Sequence, residues 1–336
     1  MPWIPKQRII TLYRSRTMMR LFALQATHDF GARVATQLGC QLALHEEREF
    51  EDGEYKVRPL SDVRGDDVYV VQSLHSDSSL SAADKLVHLL FFAATLRDHG
   101  AARVTAVVPY LAYARKDRRT QPFDPVTSRY VAQLVEAAGV AAVIAFEVHN
   151  VAAFDNAFRI PALHLSSAAV LVGEVARLVG TGPVVVASPD PGGTKRAQLF
   201  RERLLPVLGR DCGSAYLEKR RSGGVVSGTM LAGDVRDATV VLVDDLISTG
   251  GTLIRAARAC LEMGARTVIA CAAHGLFTRG ADEAIADAAL TEILITDSVP
   301  PDRLARTLRA RLRIVSAAPA FAEAIKGLSE KNARLA

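Results

Sequence analysis

The stretch Val240–Thr252 reads VVLVDDLISTGGT and decides the fold of the chain. Its apolar start, Val240 to Val243, predicts a strand that is buried on both faces. Two acids, Asp244 and Asp245, follow that strand, and a loop of small residues then leads into a helical pattern. This order places backbone N–H groups and hydroxyls at a helix N-terminus, where a phosphate group is favoured. The acidic pair suits ribose hydroxyls or a magnesium ion, whereas the bland alternative is a tight turn that merely needs glycines.

Composition limits the class of protein. The 336 residues suit two domains, and 49% of them are apolar, which is ample for two cores. We predict no membrane partner, because no apolar run is long enough to span a bilayer. The formal net charge of +5 is modest, and no nucleic-acid-binding motif is visible, so we predict no nucleic-acid partner. The four cysteines lack metal-site spacing and indicate a reduced, cytoplasmic protein.

The first residues differ from the rest of the chain. Lys6, Arg8, Arg14 and Arg16 are not balanced by any acid, and the segment lacks the apolar core of a secretory signal. We interpret residues 1–19 as a disordered basic arm. A targeting peptide, or a translation start at Met18 or Met19, are the alternatives.

From Arg20 onward, apolar strands alternate with amphipathic helices, which predicts parallel sheets wrapped by helices. One unit occurs twice: DDVYVVQSL, a helix and GAARVTAVV in the first half match DATVVLVDDL, a helix and GARTVIACA in the second. We therefore predict an α/β fold with two tandem domains, residues 20–163 and 164–330. A chance match between two strand–helix–strand units is the alternative.

Five further stretches carry candidate chemistry: FEDGE at Phe50–Glu54, PYLAYARKDRR at Pro109–Arg119, FEVHN at Phe146–Asn150, SPDPGG at Ser188–Gly193 and EKRRSGG at Glu218–Gly224. Each has a bland alternative when it stands alone, such as a solvated hairpin tip, a basic surface loop, a structural histidine or an N-cap aspartate. Together with VVLVDDLISTGGT, they resemble the ribose-phosphate diphosphokinase (PRPP synthetase) family over nearly all of Arg20 to Leu328. The chain is identified as a divergent bacterial-type member.

This resemblance implies two tandem type I phosphoribosyltransferase-like domains, each with a mainly parallel sheet flanked by helices. It implies transfer of the diphosphoryl group of ATP to the 1-hydroxyl of ribose 5-phosphate, which gives 5-phosphoribosyl 1-diphosphate (PRPP) and AMP for nucleotide biosynthesis. It also implies Mg²⁺ and a homo-oligomer in which a neighbouring subunit supplies the adenine loop.

The resemblance assigns roles to individual residues. The implied catalytic pair is Lys219 and Arg221, on a loop that closes over the site. The implied ATP contacts are Phe50, Asp52, Glu54, Arg115 and Lys116. The implied ribose 5-phosphate contacts are Asp244, Asp245, Ser248, Thr249, Gly250, Gly251 and Thr252. The implied metal ligands are His149 and Asp190.

The chain departs from the family pattern at several positions. Lys116 stands in place of a glutamine, Glu147 in place of an aspartate, Asn150 in place of a small residue and Ser248 in place of a second aspartate. If the chain were a phosphoribosyltransferase, we would expect one domain and no KRR stretch. If it were a non-catalytic relative, we would expect loss of Lys219, Arg221 or His149. A PRPP-sensing transcription regulator would predict a DNA-binding appendage, for which only the basic arm is available.

Overall fold

The computed structural model describes residues 18–222 and 225–333, and the first half of this range forms one sheet. Its five strands are mutually parallel and lie in the order β1-β4-β5-β6-β7, while β2 and β3 form a separate antiparallel hairpin. The elements in chain order are β1 (Met19–Ala23), α1 (His28–Leu38), β2 (His45–Glu49), β3 (Tyr55–Pro59), β4 (Asp67–Val71), α2 (Ala82–Asp98), β5 (Arg103–Val108), α3 (Thr127–Ala137), β6 (Ala142–Phe146), α4 (Val151–Ala157) and β7 (Ala162–Leu165).

The second half forms a seven-stranded sheet in the order β10-β9-β8-β11-β12-β13-β14. All neighbours in it are parallel except β9 and β10, which form an antiparallel hairpin. The elements are α5 (Ala168–Leu178), β8 (Val184–Ser188), α6 (Thr194–Leu208), β9 (Gly213–Ser222), β10 (Val225–Ala232), β11 (Thr239–Ile247), α7 (Gly251–Glu262), β12 (Thr267–Gly275), α8 (Ala281–Ala286), β13 (Glu292–Thr296), α9 (Arg306–Arg309), β14 (Leu312–Val315) and α10 (Ala318–Ala333).

The predicted α/β architecture is confirmed, because two mainly parallel sheets carry helices between their strands. The repeated unit appears as β4–α2–β5 in the first sheet and β11–α7–β12 in the second, and each strand pair is parallel and adjacent. In both copies the first strand is almost completely buried, as its continuous apolar run requires. Among the described helices, none is both long and apolar enough to cross a membrane.

Segment boundaries differ in places from the sequence prediction. The apolar run Leu21–Leu24 predicts a first strand, and β1 begins two residues earlier, at Met19. Residues 1–17 of the predicted arm lie outside the described residues. The predicted domain boundary between residues 163 and 164 falls inside β7, which pairs with β6 of the first sheet. From the sequence, Ala215–Leu217 predicts only a short strand, whereas in the structure these residues are part of the ten-residue β9.

The last helix, α10, packs against the first half of the chain. The Phe321 ring lies 5.4 Å from that of Phe30 on α1 and 5.8 Å from that of Phe146 on β6, measured between ring centroids. All three phenylalanines belong to one buried cluster, which also contains Ile325 and Leu21. The apolar core on this face of the first sheet is therefore completed by residues from the far end of the sequence.

Candidate active site

A cavity of about 1200 Å³ lies where the carboxyl ends of strands from both sheets meet. This is the expected position for a ligand site in an open parallel α/β sheet. Six of the predicted site residues line it. Arg115, Lys116, His149 and Asp190 lie in the loops after β5, β6 and β8, whereas Asp244 and Asp245 lie within the carboxyl-terminal part of β11.

The remaining predicted site residues lie elsewhere in the described structure. Phe50, Asp52 and Glu54 form the closed tip of the β2–β3 hairpin, where the Phe50 N–H donates to the Glu54 carbonyl at 2.8 Å. The Arg48 guanidinium covers the Phe50 ring at 4.7 Å from its centroid. None of these three residues is among the described residues that line the cavity.

The predicted loop Ser248–Thr252 is shorter in the structure, because Ser248, Thr249 and Gly250 form the turn between β11 and α7 while Gly251 and Thr252 begin the helix. Gly250 is the N-cap of α7 and has a φ of 77°, and Gly251 is the first helical residue. Ser248 Oγ lies 3.0 Å from Thr278 Oγ1 and is thereby fixed to the next strand's loop. The N–H groups of Thr249 and Gly250 have no acceptor among the described residues, so they remain available to an anion.

Gly250→Ala is expected to weaken ribose 5-phosphate binding and to lower stability. An added Cβ would lie 2.5 Å from the Ala284 Cβ, at a backbone angle that side chains disfavour. We expect a loss of about 1–3 kcal/mol in unfolding free energy, which is typical of overpacking. The matched control is Gly209→Ala, whose φ is +65° and whose Cβ would meet nothing within 4 Å. Urea unfolding of both variants measures the steric part, and equal losses would contradict the expectation.

The acidic pair is joined to the first half of the chain through His149 and Arg196. His149 Nδ1 lies 2.6 Å from Asp245 Oδ2. Arg196, on α6, has Nη1 3.6 Å from Asp245 Oδ1 and 3.8 Å from Asp244 Oδ1. Its Nε donates to Glu147 Oε1 at 3.0 Å, and its Nη2 donates to the His149 carbonyl at 3.0 Å. One guanidinium therefore contacts both halves at the base of the cavity.

Glu147 is held rigidly beside this arginine. Its backbone has a φ of 39°, which is unusual for a residue other than glycine, and its side chain is buried. Its second carboxylate oxygen, Oε2, accepts from the Ser167 N–H at 2.7 Å. Glu147 thus serves to anchor Arg196 and the start of α5.

The surroundings of Asp244 and Asp245 shift the pKa values of the two carboxyl groups in opposite directions. Burial, together with the hydrogen bond and the charge of Asp245, raises the pKa of Asp244 to about 8. Burial also acts on Asp245, but the hydrogen bond from His149 and the charge of Arg196 outweigh it and hold the pKa of Asp245 below its ordinary value. The pair thus has one firmly ionised member and one member that retains a proton over a wide pH range.

Asp244→Asn is expected to flatten the pH dependence of stability. Because the pKa of Asp244 is raised on folding, the native state keeps a proton that the unfolded state releases, so stability falls as pH rises from about 4 to about 8. The asparagine variant lacks this contribution, so wild type should lose more unfolding free energy than the variant between pH 5 and pH 8. Urea unfolding at several pH values, without metal, measures the difference, and parallel profiles would contradict it.

Lys116 and Asp190 already have intramolecular partners. Lys116 Nζ lies 2.5 Å from Asp124 Oδ2, so its charge is paired within the loop that also carries Arg115. Asp190 Oδ1 accepts from the Gly193 N–H at 3.1 Å, as an N-cap does, while the side chain also borders the cavity.

Lys219 and Arg221 lie in β9, and not in the loop predicted for this segment. The backbone register pairs Lys219 with Thr229 and Arg221 with Val226 of β10. Gly223 and Gly224, which the prediction placed in the same loop, lie outside the described residues. The Gly223-Gly224 pair between two short runs of residues is a hairpin signal that could have indicated this structure.

Arg196 and Glu147 are site residues to which the sequence assigned no role. They are 49 positions apart, and no local periodicity connects residues at that separation. The available signal was weak: Glu147 belongs to the FEVHN stretch, and Arg196 lies shortly after the SPDPGG stretch.

Two family models match the chain in succession. The model described as the N-terminal domain of ribose phosphate pyrophosphokinase matches residues 19–139, and the phosphoribosyl transferase domain model matches residues 162–297. The two matches fall largely on the first and second sheets.

Relatives match over almost the full length. The ribose-phosphate pyrophosphokinase of Caldanaerobacter subterraneus subsp. tengcongensis is 35% identical over 94% of this chain and 96% of its own. That of Gloeobacter violaceus is 36% identical over 94% of this chain and 91% of its own. A crystal structure of phosphoribosylpyrophosphate synthetase from Mycobacterium smegmatis superposes with a TM-score of 0.83 at 30% identity, covering 94% of this chain and 100% of that one.

Proposed function

Because this chain belongs to the ribose-phosphate pyrophosphokinase family, we propose that it makes PRPP by transferring the diphosphoryl group of ATP to the 1-hydroxyl of ribose 5-phosphate. The enzyme is a ribose-phosphate diphosphokinase with two tandem phosphoribosyltransferase-type domains. The observation that carries the proposal is that Asp244 and Asp245 of one half line the same cavity as Arg115 and His149 of the other.

Ribose 5-phosphate is proposed to bind at the end of β11. The turn Ser248–Thr252 would hold the 5-phosphate through N–H groups at the start of α7, where the helix dipole favours an anion. Asp245, kept ionised by His149 and Arg196, would accept hydrogen bonds from the 2- and 3-hydroxyls together with Asp244. This arrangement would point the 1-hydroxyl into the cavity.

ATP is proposed to bind on the opposite wall. The Arg115 guanidinium is suited to bidentate contact with phosphate oxygens, and the loop that carries it borders the cavity. Lys116, being paired with Asp124, would contribute less direct charge than Arg115. Phe50, Asp52 and Glu54 are not among the described residues that line this cavity, which supports delivery of an adenine loop by a neighbouring subunit of a homo-oligomer.

The donor groups of the cavity fit Mg²⁺. The described residues contain no cluster of three His, Cys, Asp or Glu side chains that could hold a metal unaided. Magnesium at phosphoryl-transfer sites is usually held by one or two carboxylates together with substrate phosphates and water. Asp190 and His149, which both line the cavity, would hold the ion from the protein side. When bound, the ion neutralises phosphate charge that would repel the attacking hydroxyl.

Lys219 and Arg221 are proposed to stabilise the charge that develops on the transferred diphosphoryl group. Such preorganised cations act in the transition state and are among the largest contributions to catalysis. The proposal rests on the EKRRSGG stretch and on the course of β9. This strand pairs with β8 as far as Tyr216 and continues past the carboxyl end of β8, after which Asp190 borders the cavity.

The proposed location is the cytoplasm. All four cysteines are free, three of them buried, as expected for a chain that folds without disulfides in a reducing compartment.

The test is AMP and PRPP formation by purified protein supplied with ribose 5-phosphate, ATP and magnesium. We expect equimolar AMP and PRPP, and no AMP when ribose 5-phosphate is left out. Failure to release AMP, with and without inorganic phosphate and with other nucleoside triphosphates, would exclude the enzyme function and favour a non-catalytic relative.

A further inference from the structure

Asn150 uses both ends of its side-chain amide, and each end is bound to a different segment. Its Oδ1 accepts from the Ala153 N–H at 3.2 Å and so caps α4. Its Nδ2 donates to Asp117 Oδ2 at 2.6 Å, which reaches across to the loop after β5. An amide is suited to this double task because it carries a donor and an acceptor.

This hydrogen bond joins two segments that border the same cavity. Asp117 follows Arg115 and Lys116 directly, and Asn150 follows His149 directly. Their loops extend from β5 and β6, which are neighbouring parallel strands. The Asn150–Asp117 contact therefore sets the spacing between His149 and the loop after β5 that carries Arg115 and Lys116, which we call the basic loop. His149 is itself bonded to Asp245.

The rest of the basic loop is ordered around a single carboxylate. Asp124 Oδ2 accepts from the Thr120 N–H at 3.0 Å, from Thr120 Oγ1 at 2.7 Å and from the Gln121 N–H at 3.0 Å, in addition to Lys116 Nζ. These bonds close the loop on itself. The Asn150–Asp117 bond ties this internally bonded loop to the segment that follows β6.

We propose that Asn150 is a positioning residue for the nucleotide, which holds the Arg115 loop at the distance from His149 that bound ATP requires. The inference rests on the proposed function for the identity of the ligand. Asn150 does this without adding charge beside the phosphates, whereas an aspartate at this position would face the Asp117 carboxylate.

Three variants test the role while retaining a side chain that can cap α4. Asn150→Ser keeps the cap but is too short to reach Asp117 as well. Asn150→Asp keeps the cap and turns the donor into an acceptor. The double variant Asp117→Asn/Asn150→Asp reverses the direction of the bond and has the same net charge as wild type. Calorimetric titration with magnesium and ATP, and separately with ribose 5-phosphate, measures the two affinities without requiring turnover.

Asn150→Ser is expected to weaken ATP binding about tenfold, as for the loss of one hydrogen bond to a charged group, and Asn150→Asp should weaken it further. The double variant should restore ATP affinity to within about threefold of wild type, because the bond is remade. Ribose 5-phosphate affinity and the thermal midpoint should stay near the wild-type values in Asn150→Ser.

Three results would overturn the inference. The first is unchanged ATP affinity in Asn150→Ser, and the second is a double variant that melts like wild type but binds ATP as poorly as Asn150→Asp. The third is absence of ATP binding by the wild-type protein. A wild-type protein that binds ATP but forms no PRPP would refute the proposed function alone, and the binding series would still decide the role of Asn150.

Discussion

Lys219→Ala is expected to lower kcat for PRPP formation by about 10²–10³, the usual effect of removing one preorganised group that stabilises transition-state charge. Such a group acts mainly after substrates are bound, so KM for ribose 5-phosphate should change much less than kcat. Initial rates of AMP release at saturating ATP and magnesium measure the effect.

The matched control is Arg220→Ala, which removes the same unit charge from the adjacent position of β9. It should retain most of the activity, because the predicted catalytic pair is Lys219 and Arg221. If both variants lost activity equally, the basic segment would act through its overall charge, and if Lys219→Ala remained fully active, the catalytic role would be refuted.

Arg196→Met should produce the largest loss of stability among single substitutions at the site. The guanidinium is 16% exposed and lies among the carboxylates of Glu147, Asp244 and Asp245. Removing one partner of a buried ionic group leaves charge uncompensated and typically costs about 3–5 kcal/mol. Urea unfolding at pH 8 measures the loss, and ribose 5-phosphate binding should weaken in parallel because Asp245 loses a stabilising cation.

Two further variants separate the loss of the contacts between Arg196 and the carboxylates from a non-specific loss of stability. Arg196→Lys keeps the charge but not the fork of donors, so it should lie between wild type and Arg196→Met. Arg177→Met breaks an exposed pair with Glu174 and should change the unfolding midpoint little. A midpoint for Arg196→Met equal to that of Arg177→Met would show that Arg196 does not hold the acidic cluster.

Much of the fold was predictable because its signals are local. The Val240–Thr252 stretch contains its own strand, turn and helix start, and the structure has β11, the Gly250 cap and α7 in that order. Part of the residue set of the candidate site was also predictable, since six of the predicted residues border one cavity.

The parts that were missed depend on contacts between distant segments. Nothing near Arg196 in the sequence indicates that its partner is Glu147, and nothing near Lys116 indicates whether its ammonium group faces a ligand or Asp124. The β9–β10 hairpin was predicted as a loop because its basic residues obscure the strand pattern. The edge strands β7 and β14 are only four residues each and were missed for lack of length.

The docking of α10 has a consequence for how the protein is made. Phe321 and Ile325 fill the cluster around Phe30 and Phe146, so the first half leaves the ribosome with part of its apolar face uncovered. Domains generally fold in the order of synthesis, but here the first sheet completes this apolar core only after α10 has been made. A chain that ends before α10 would keep that face exposed, so we expect such a chain to aggregate.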